Sequence, residues 1–417
     1  MNNLTISPRV RALADEAMQC VAERFAEIDR VCEINTEKVL SAFRNNRVSD
    51  ACFAGTTGYG YDDRGREVLD KIYAEVFGCE SALVRTGFVN GTHAITCALF
   101  SAVKTGDKLV YISGMPYDTL QGAIGITGHY RGSLKDYGID YGQADLKPDG
   151  KPDIAAIIDC VSDKRVKATC IQRSRGYSER NALSIAEIAE MCEAVHKANP
   201  DAAIIVDNCY GEFTDITEPT EVGADLIAGS LIKNPGGGIA PTGGYLAGRA
   251  DLIENASFRL TSPGIGGEVG ATLGNSRLLF QGFFMAPHVT AQALKTAVFC
   301  ARMMELMGFD SHPKWSDPRS DIIQTVELGS PEKLSKFCKG IQSGAPVDSF
   351  VTPEAWDMPG YDSKVIMAAG AFIQGASIEL SADGPMIPPY RAFLQGGLTF
   401  ESGKLGVMLA ADELLRE

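Results

Sequence analysis

The sequence has no Cys-x-x-Cys pair, no uncharged apolar run long enough to span a bilayer, few histidines and a deficit of positive charge. Each shortage removes a class of function. The eleven cysteines are odd in number and scattered through a long chain, so they read as reduced, mostly buried thiols and not as a disulfide framework. The five histidines are too dispersed to suggest zinc, and no metal site is expected. With 39 Lys and Arg against 53 Asp and Glu, the net charge is -14 and the pI about 5.0. Nucleic acid and anionic membranes are therefore not expected partners, although a local basic pocket for a phosphate remains compatible with that balance. The first ten residues, Met1 to Val10, hold no apolar core preceded by positive charge, so neither export nor membrane insertion is expected and the chain is assigned to the cytoplasm. No internal repeat or low-complexity tract stands out.

What is present is an ordinary globular composition, 45% hydrophobic and 22% charged, in a chain of 417 residues that is too long for one average domain. The stretch 202–238 organises the rest. Ala202-Ala-Ile-Ile-Val-Asp207 is a β-branched apolar run ending in an aspartate, as expected of a buried parallel strand that delivers a carboxylate to its C-terminal edge, where open α/β sheets bind ligands. After a second short strand come Ser230-Leu-Ile-Lys233 and the glycines 236–238. Taken singly, a strand-end Asp is usually a cap and a Lys a solvated charge. Together they suggest a site for pyridoxal 5'-phosphate (PLP), which needs a lysine for its Schiff base and an acid partner for its pyridine nitrogen.

Other stretches fit around this one. Val10, Leu13, Ala14, Met18, Val21, Phe25 and Ile28 recur at helical spacing and predict an N-terminal helical arm over residues 1–50. Thr86-Gly-Phe-Val-Asn90-Gly91-Thr92 is a turn that opens an apolar helix, whose first amides and dipole favour a phosphate. Alternation of strands and helices, including a capping-box signature at Ser184 and Glu187, predicts a mainly parallel sheet covered on both faces. A helix near Val289–Met307 is expected to bridge to a smaller C-terminal domain, whose strand-like runs include 321–328, 364–370 and 376–383. The expected division is a large domain over 51–288 and a small one over 289–417.

The stretches Val206-Asp207-Asn-Cys-Tyr-Gly-Glu-Phe and Gly229-Ser230-Leu-Ile-Lys233-Asn-Pro-Gly-Gly-Gly-Ile-Ala-Pro resemble the fold-type I PLP enzymes of cysteine and methionine metabolism, nearest the methionine γ-lyase-like or "aluminium resistance" branch. The resemblance implies an α/β fold of the aspartate aminotransferase type, with a smaller α+β C-terminal domain. It implies that Lys233 carries the cofactor covalently, that Asp207 meets the pyridine nitrogen, and that Gly91, Thr92 and Ser230 hold the phosphate. Tyr117 is the match for the aromatic residue that stacks on the ring and serves as acid to the leaving group. Tyr59, Tyr61 and Arg64 match a loop that reaches the neighbouring subunit's phosphate, which implies a homo-oligomer: a dimer with shared sites, expected as a tetramer. Arg391 is the candidate for gripping the substrate carboxylate, since guanidinium matches carboxylate bidentately, and Arg173 or Arg175 are the candidates for shaping the substrate-binding pocket.

The activity implied is carbon–sulfur β- or γ-elimination on cystathionine, cysteine or methionine, with release of a 2-oxo acid and ammonia. The alternatives are an aminotransferase or side-chain aldolase, or a catalytically silent PLP-binding protein linked to metal resistance. No carboxylate-rich oxygen cage for Al3+ is legible.

Overall fold

A computed structural model describes residues 4–128, 130–358 and 363–416. The chain begins with one long helix, α1 (Pro8–Asn45), capped by Ser7, whose hydroxyl accepts from the Val10 amide. Pro8 occupies the first turn, where a missing N–H costs nothing. The apolar stripe expected from the sequence is the buried face, with Val10, Ala14, Val21 and Ile28 all enclosed.

Thirteen elements build the larger body: α2 (Arg64–Val76), β1 (Ser81–Arg85), α3 (Gly91–Ala102), β2 (Lys108–Tyr111), α4 (Asp118–Ile124), β3 (Asp140–Gln143), α5 (Ile154–Val161), β4 (Val166–Gln172), α6 (Ile185–Ala198), β5 (Ala203–Asp207), β6 (Leu226–Ser230), β7 (Gly244–Gly248) and α7 (Ala250–Leu260). The seven strands form one sheet in the order β1-β7-β6-β5-β4-β2-β3. Only β7 runs against the rest, antiparallel to both β1 and β6. The β5 strand shows why the sheet is covered on both sides. Ile204 and Val206 enter one apolar core, and Ala203 and Ile205 enter the other, as the two-residue period of a strand requires.

The smaller body contains α8 (Ser276–Leu306), β8 (Asp310–His312), β9 (Gln324–Glu327), α9 (Pro331–Ser343), β10 (Val365–Ala368), β11 (Ser381–Pro385), β12 (Arg391–Gln395) and α10 (Phe400–Leu415). Its five strands are antiparallel in the order β10-β11-β12-β9-β8. Two expectations need correction here. The bridging helix begins at Ser276, well before Val289, and runs through Pro287. A proline inside a helix removes one hydrogen bond and reads as a boundary. Here Leu279 and Phe283 anchor the segment before it in the large core, and Phe299 and Met303 anchor the segment after it in the small core. The strand expected over 376–383 starts only at Ser381, because the chain turns through 376–380.

All eleven cysteines are free thiols. Among the described residues no helix is long and apolar enough to cross a membrane, and no group of three or more His, Cys, Asp or Glu is placed to hold a metal ion.

Candidate active site

The order β6-β5-β4-β2 aligns the carboxyl ends of four parallel strands along one edge. A cavity of about 340 Å³ opens there, walled by the large body on one side and by residues of the small sheet on the other. Asp207 reaches it from the end of β5, Ser230 from the end of β6 and Gln172 from the end of β4. Lys233 follows three residues after Ser230, and Tyr117 lies just before α4. Gly91 and Thr92 come from the first turn of α3. Six of the residues singled out in the sequence thus line one cavity.

The start of α3 is built to receive an anion. Asn90 caps it, its side-chain oxygen accepting from the His93 amide at 2.8 Å. The Gly91 and Thr92 amides, at the first two helical positions, have no intrahelical acceptors and carry the positive end of the helix dipole. A methyl group at Gly91 would come within 3.2 Å of the Ser230 Cβ and 3.5 Å of the Cys209 sulfur, so glycine lets the helix start lie directly against the end of β6. The Thr92 hydroxyl sits 2.8 Å from that of Thr119, adding two hydroxyls to the same corner.

Lys233 is half-buried, with its Nζ 3.9 Å from the centroid of the Tyr210 ring. Tyr210 adopts a left-handed backbone (φ 71°), and its hydroxyl lies 3.0 Å from that of Ser377. Burial works against the ammonium, but Cys209, Tyr210 and Asp207 outweigh it and hold the pKa of Lys233 above the usual lysine value. Burial also raises the pKa of Asp207, while the Lys233 charge pulls it down. The Cys209 amide donates to Asp207 Oδ1 at 3.1 Å and fixes the carboxylate at the strand end.

Behind the cavity, Glu212 accepts from the Tyr245 hydroxyl at 2.8 Å, and burial pushes its carboxyl up to about 8 from the usual 4.5. Both folded and unfolded chains hold this proton below about pH 4.5. Above that the unfolded chain alone ionises, so stability falls until about pH 8, by up to roughly 4–5 kcal/mol for a shift of this size. Glu212→Gln removes the titration. Its melting temperature, relative to the native protein, is expected to rise between pH 5 and pH 8, and a pH-independent difference would show that Glu212 is ionised in the fold.

The three arginines considered for substrate binding lie outside the cavity lining. Arg173 is fully buried, donating to Asn208 Oδ1 at 2.8 Å and to the Thr214 hydroxyl at 3.2 Å, with Glu218 at 3.6 Å. Arg175 donates to the His312 and Glu179 carbonyls at 3.0 and 3.1 Å, which ties its loop to β8. Both guanidiniums are buried and turned to protein acceptors, with the Arg173 Nε alone left without a partner, so they brace the loop beside the cavity and are not exposed to it. Arg391 opens β12 and is paired with Glu179 and Glu327.

Tyr59, Tyr61 and Arg64 also lie away from this chain's own cavity. The two tyrosine rings are exposed and stacked 5.5 Å apart. Their loop is fastened to a glycine-rich loop at residues 264–270, where the Gly270 amide donates to the Tyr59 carbonyl at 2.9 Å. Arg66 bridges the two loops, donating to Gly60 at 2.6 Å, Gly270 at 3.1 Å and Glu268 at 3.1 Å.

The cavity also contains residues that sequence reasoning did not assign. Tyr210 lay inside a stretch already singled out, but nothing in the sequence gives its positive φ or its place over Lys233. Gln172 accepts from the Tyr117 amide at 2.8 Å and thereby sets the position of that residue. Asp383 and Gln395 come from the small sheet, whose approach to the site depends on tertiary packing alone.

An α/β chain with a large, mainly parallel sheet, a second antiparallel sheet, a buried strand-end aspartate and a lysine after the next strand belongs to the fold-type I class. YhfS of Escherichia coli, a PLP-dependent protein, shares this fold at 16% identity, with a TM-score of 0.61 over 92% of this chain and 97% of its own. The family described as methionine gamma-lyase matches residues 10–415, and this chain belongs to it. A carbon–sulfur lyase involved in aluminum resistance from Clostridium novyi NT is 52% identical, with a TM-score of 0.95 over 98% of this chain and 97% of that one. The uncharacterized protein YnbB of Bacillus subtilis (strain 168) is 50% identical over 417 residues, all of this chain and 99% of its own. The family is one of carbon–sulfur lyases that depend on PLP.

The residues present fit that cofactor. The glycine-tight start of α3 with its free amides, and the hydroxyls of Thr92 and Ser230, suit a phosphate, while Asp207 and Lys233 face the same space.

Proposed function

We propose that the protein is a PLP-dependent carbon–sulfur lyase that eliminates the sulfur side chain of an amino acid such as cystathionine, cysteine or methionine, giving a thiol or sulfide, a 2-oxo acid and ammonia. The observation that carries this reading is the convergence of Lys233, Asp207 and the α3 N-terminus on one cavity. PLP, when bound, supplies the electron sink for charge developing at the substrate α-carbon.

The chain's own residues do the rest. Gly91, Thr92 and Ser230 hold the phosphate. Asp207 keeps a proton on the pyridine nitrogen, and Lys233, the covalent attachment point, takes the α-proton at Nζ once substrate has displaced it. Tyr117 lies against the Gln172–Gly176 wall, where its phenol is suited to protonate the departing sulfur. Tyr117→Phe is expected to lower kcat by about 10^2 while leaving cofactor content unchanged; full retention of kcat would remove Tyr117 from the proton path.

Tyr59, Tyr61 and Arg64 are assigned to the cavity of a second copy, which makes a dimer with shared sites the working unit and a tetramer, a pair of such dimers, its extension. Their exposure and their distance from this chain's cavity support that assignment. Arg391 would reach a substrate carboxylate only by leaving Glu179 and Glu327. The reduced thiols fit a cytoplasmic enzyme.

The deciding experiment is to supply PLP to the purified protein and assay 2-oxo acid and ammonia with cystathionine, cysteine and methionine separately. Equal release of both products from one of them supports the lyase. Oxo acid without ammonia points to amino transfer, and no release from any of the three overturns the reading.

A further inference from the structure

The wall that the small sheet gives to the cavity is acidic and lacks a cation. In the antiparallel register Ser381 faces Gln395, Asp383 faces Phe393 and Met367 faces Asp383. Directly opposed residues share a face, and so do residues two apart along a strand. Met367, Ser381, Asp383, Phe393 and Gln395 therefore form one face, and all five line the cavity. The alternate residues Ile366, Ala382, Ala392 and Leu394 enter the apolar core behind. A carboxylate on this face is an exception in an otherwise ordinary half-buried sheet.

Two acceptor atoms there are enclosed and unmatched: Asp383 Oδ1 and Gln395 Oε1 have no hydrogen-bond partner. Burial pushes the Asp383 carboxyl up to about 7, with the Tyr177 phenol opposing the rise. Lys233 is the only cation among the described residues that line the cavity, and it belongs with Asp207, Cys209 and Tyr210. Enclosed acceptors without donors cost free energy unless a ligand supplies the donors. An ammonium supplies three donors and a charge of the matching sign.

We infer that Asp383, assisted by Gln395, is a recognition site for a protonated amine at the far end of the substrate, so that the preferred substrates are amino-acid thioethers whose leaving thiol carries an ammonium group. The inference deepens the lyase reading and rests on it. A purely apolar side chain such as that of methionine leaves the two acceptors unmatched, whereas an amine-bearing thiol satisfies them.

The test uses two substrates of nearly equal shape, S-(2-aminoethyl)cysteine and S-propylcysteine, with the PLP-loaded protein. Binding is measured by calorimetry and turnover by 2-oxo acid release. The native protein is expected to bind the aminoethyl compound on the order of tenfold more tightly. Asp383→Asn should bring the two close to parity, and Gln395→Leu should reduce the preference in part. Parity in the native protein overturns the inference, whatever the folding of the variants, and so does a preference that survives Asp383→Asn. A binding preference without oxo-acid release from either compound keeps the subsite and removes the lyase reading. Release from both at equal affinity does the reverse.

Discussion

Lys233→Ala is expected to abolish elimination, lowering kcat by ~10^4 or more, because the same amine both attaches the cofactor and moves the α-proton. Borohydride reduction of the PLP-loaded native protein should leave the cofactor's mass on the peptide that contains Lys233, and no peptide of the variant should carry it. The surroundings of Lys233 make the assignment specific. Its Nζ faces the Tyr210 ring inside the cavity, with Asp207 helping to hold its charge. A label found on another lysine would overturn both the cofactor assignment and the mechanism built on it.

Asp207→Asn is the second large effect. The carboxylate is buried at the end of β5, held by the Cys209 amide, and helps hold the charge on Lys233. Without the carboxylate the pyridine nitrogen loses the group proposed to keep it protonated, and kcat is expected to fall by roughly 10^2–10^3, about 3–4 kcal/mol of transition-state stabilisation. Asparagine keeps the shape and can still accept the Cys209 amide, so cofactor should still be retained through the α3 corner. Steady-state kinetics at saturating PLP separate the two contributions. A variant with native kcat and only weakened cofactor binding would show that Asp207 anchors the ring without tuning it.

Much of the large body was legible because its signals are local. The run Ala202–Asp207 is apolar and β-branched, and it is a strand buried at every position of Ala203–Asp207. The Ser184 and Glu187 pair forms the capping box expected of it. Gly91 and Thr92 start a helix, as the turn before them implied. The small body was less legible, because its contribution to the cavity depends on where one face of an antiparallel sheet is docked. Asp383 lay at the end of a recognised strand-like run, yet no spacing in the sequence says that the strand begins at Ser381 or that this face meets Lys233's cavity. Arginines were similarly opaque. Composition cannot tell a guanidinium awaiting a carboxylate from Arg173 or Arg175, whose donors are directed at protein acceptors. The bridging helix was expected only near Val289–Met307, because a proline at 287 has no local signal for continuing a helix, while packing on both sides keeps it continuous from Ser276.

That continuity sets a limit on how the site can change shape. The cavity is closed on one side by strand ends of the large sheet and on the other by the face of the small sheet, and α8 is embedded in the cores behind both. One end of the helix cannot shift without displacing side chains packed at native density. The helix therefore works as a common ruler for the two walls, fixing the spacing between them. Substitutions deep in α8, far from any reacting atom, would change which side chain fits before they changed how fast it is cleaved.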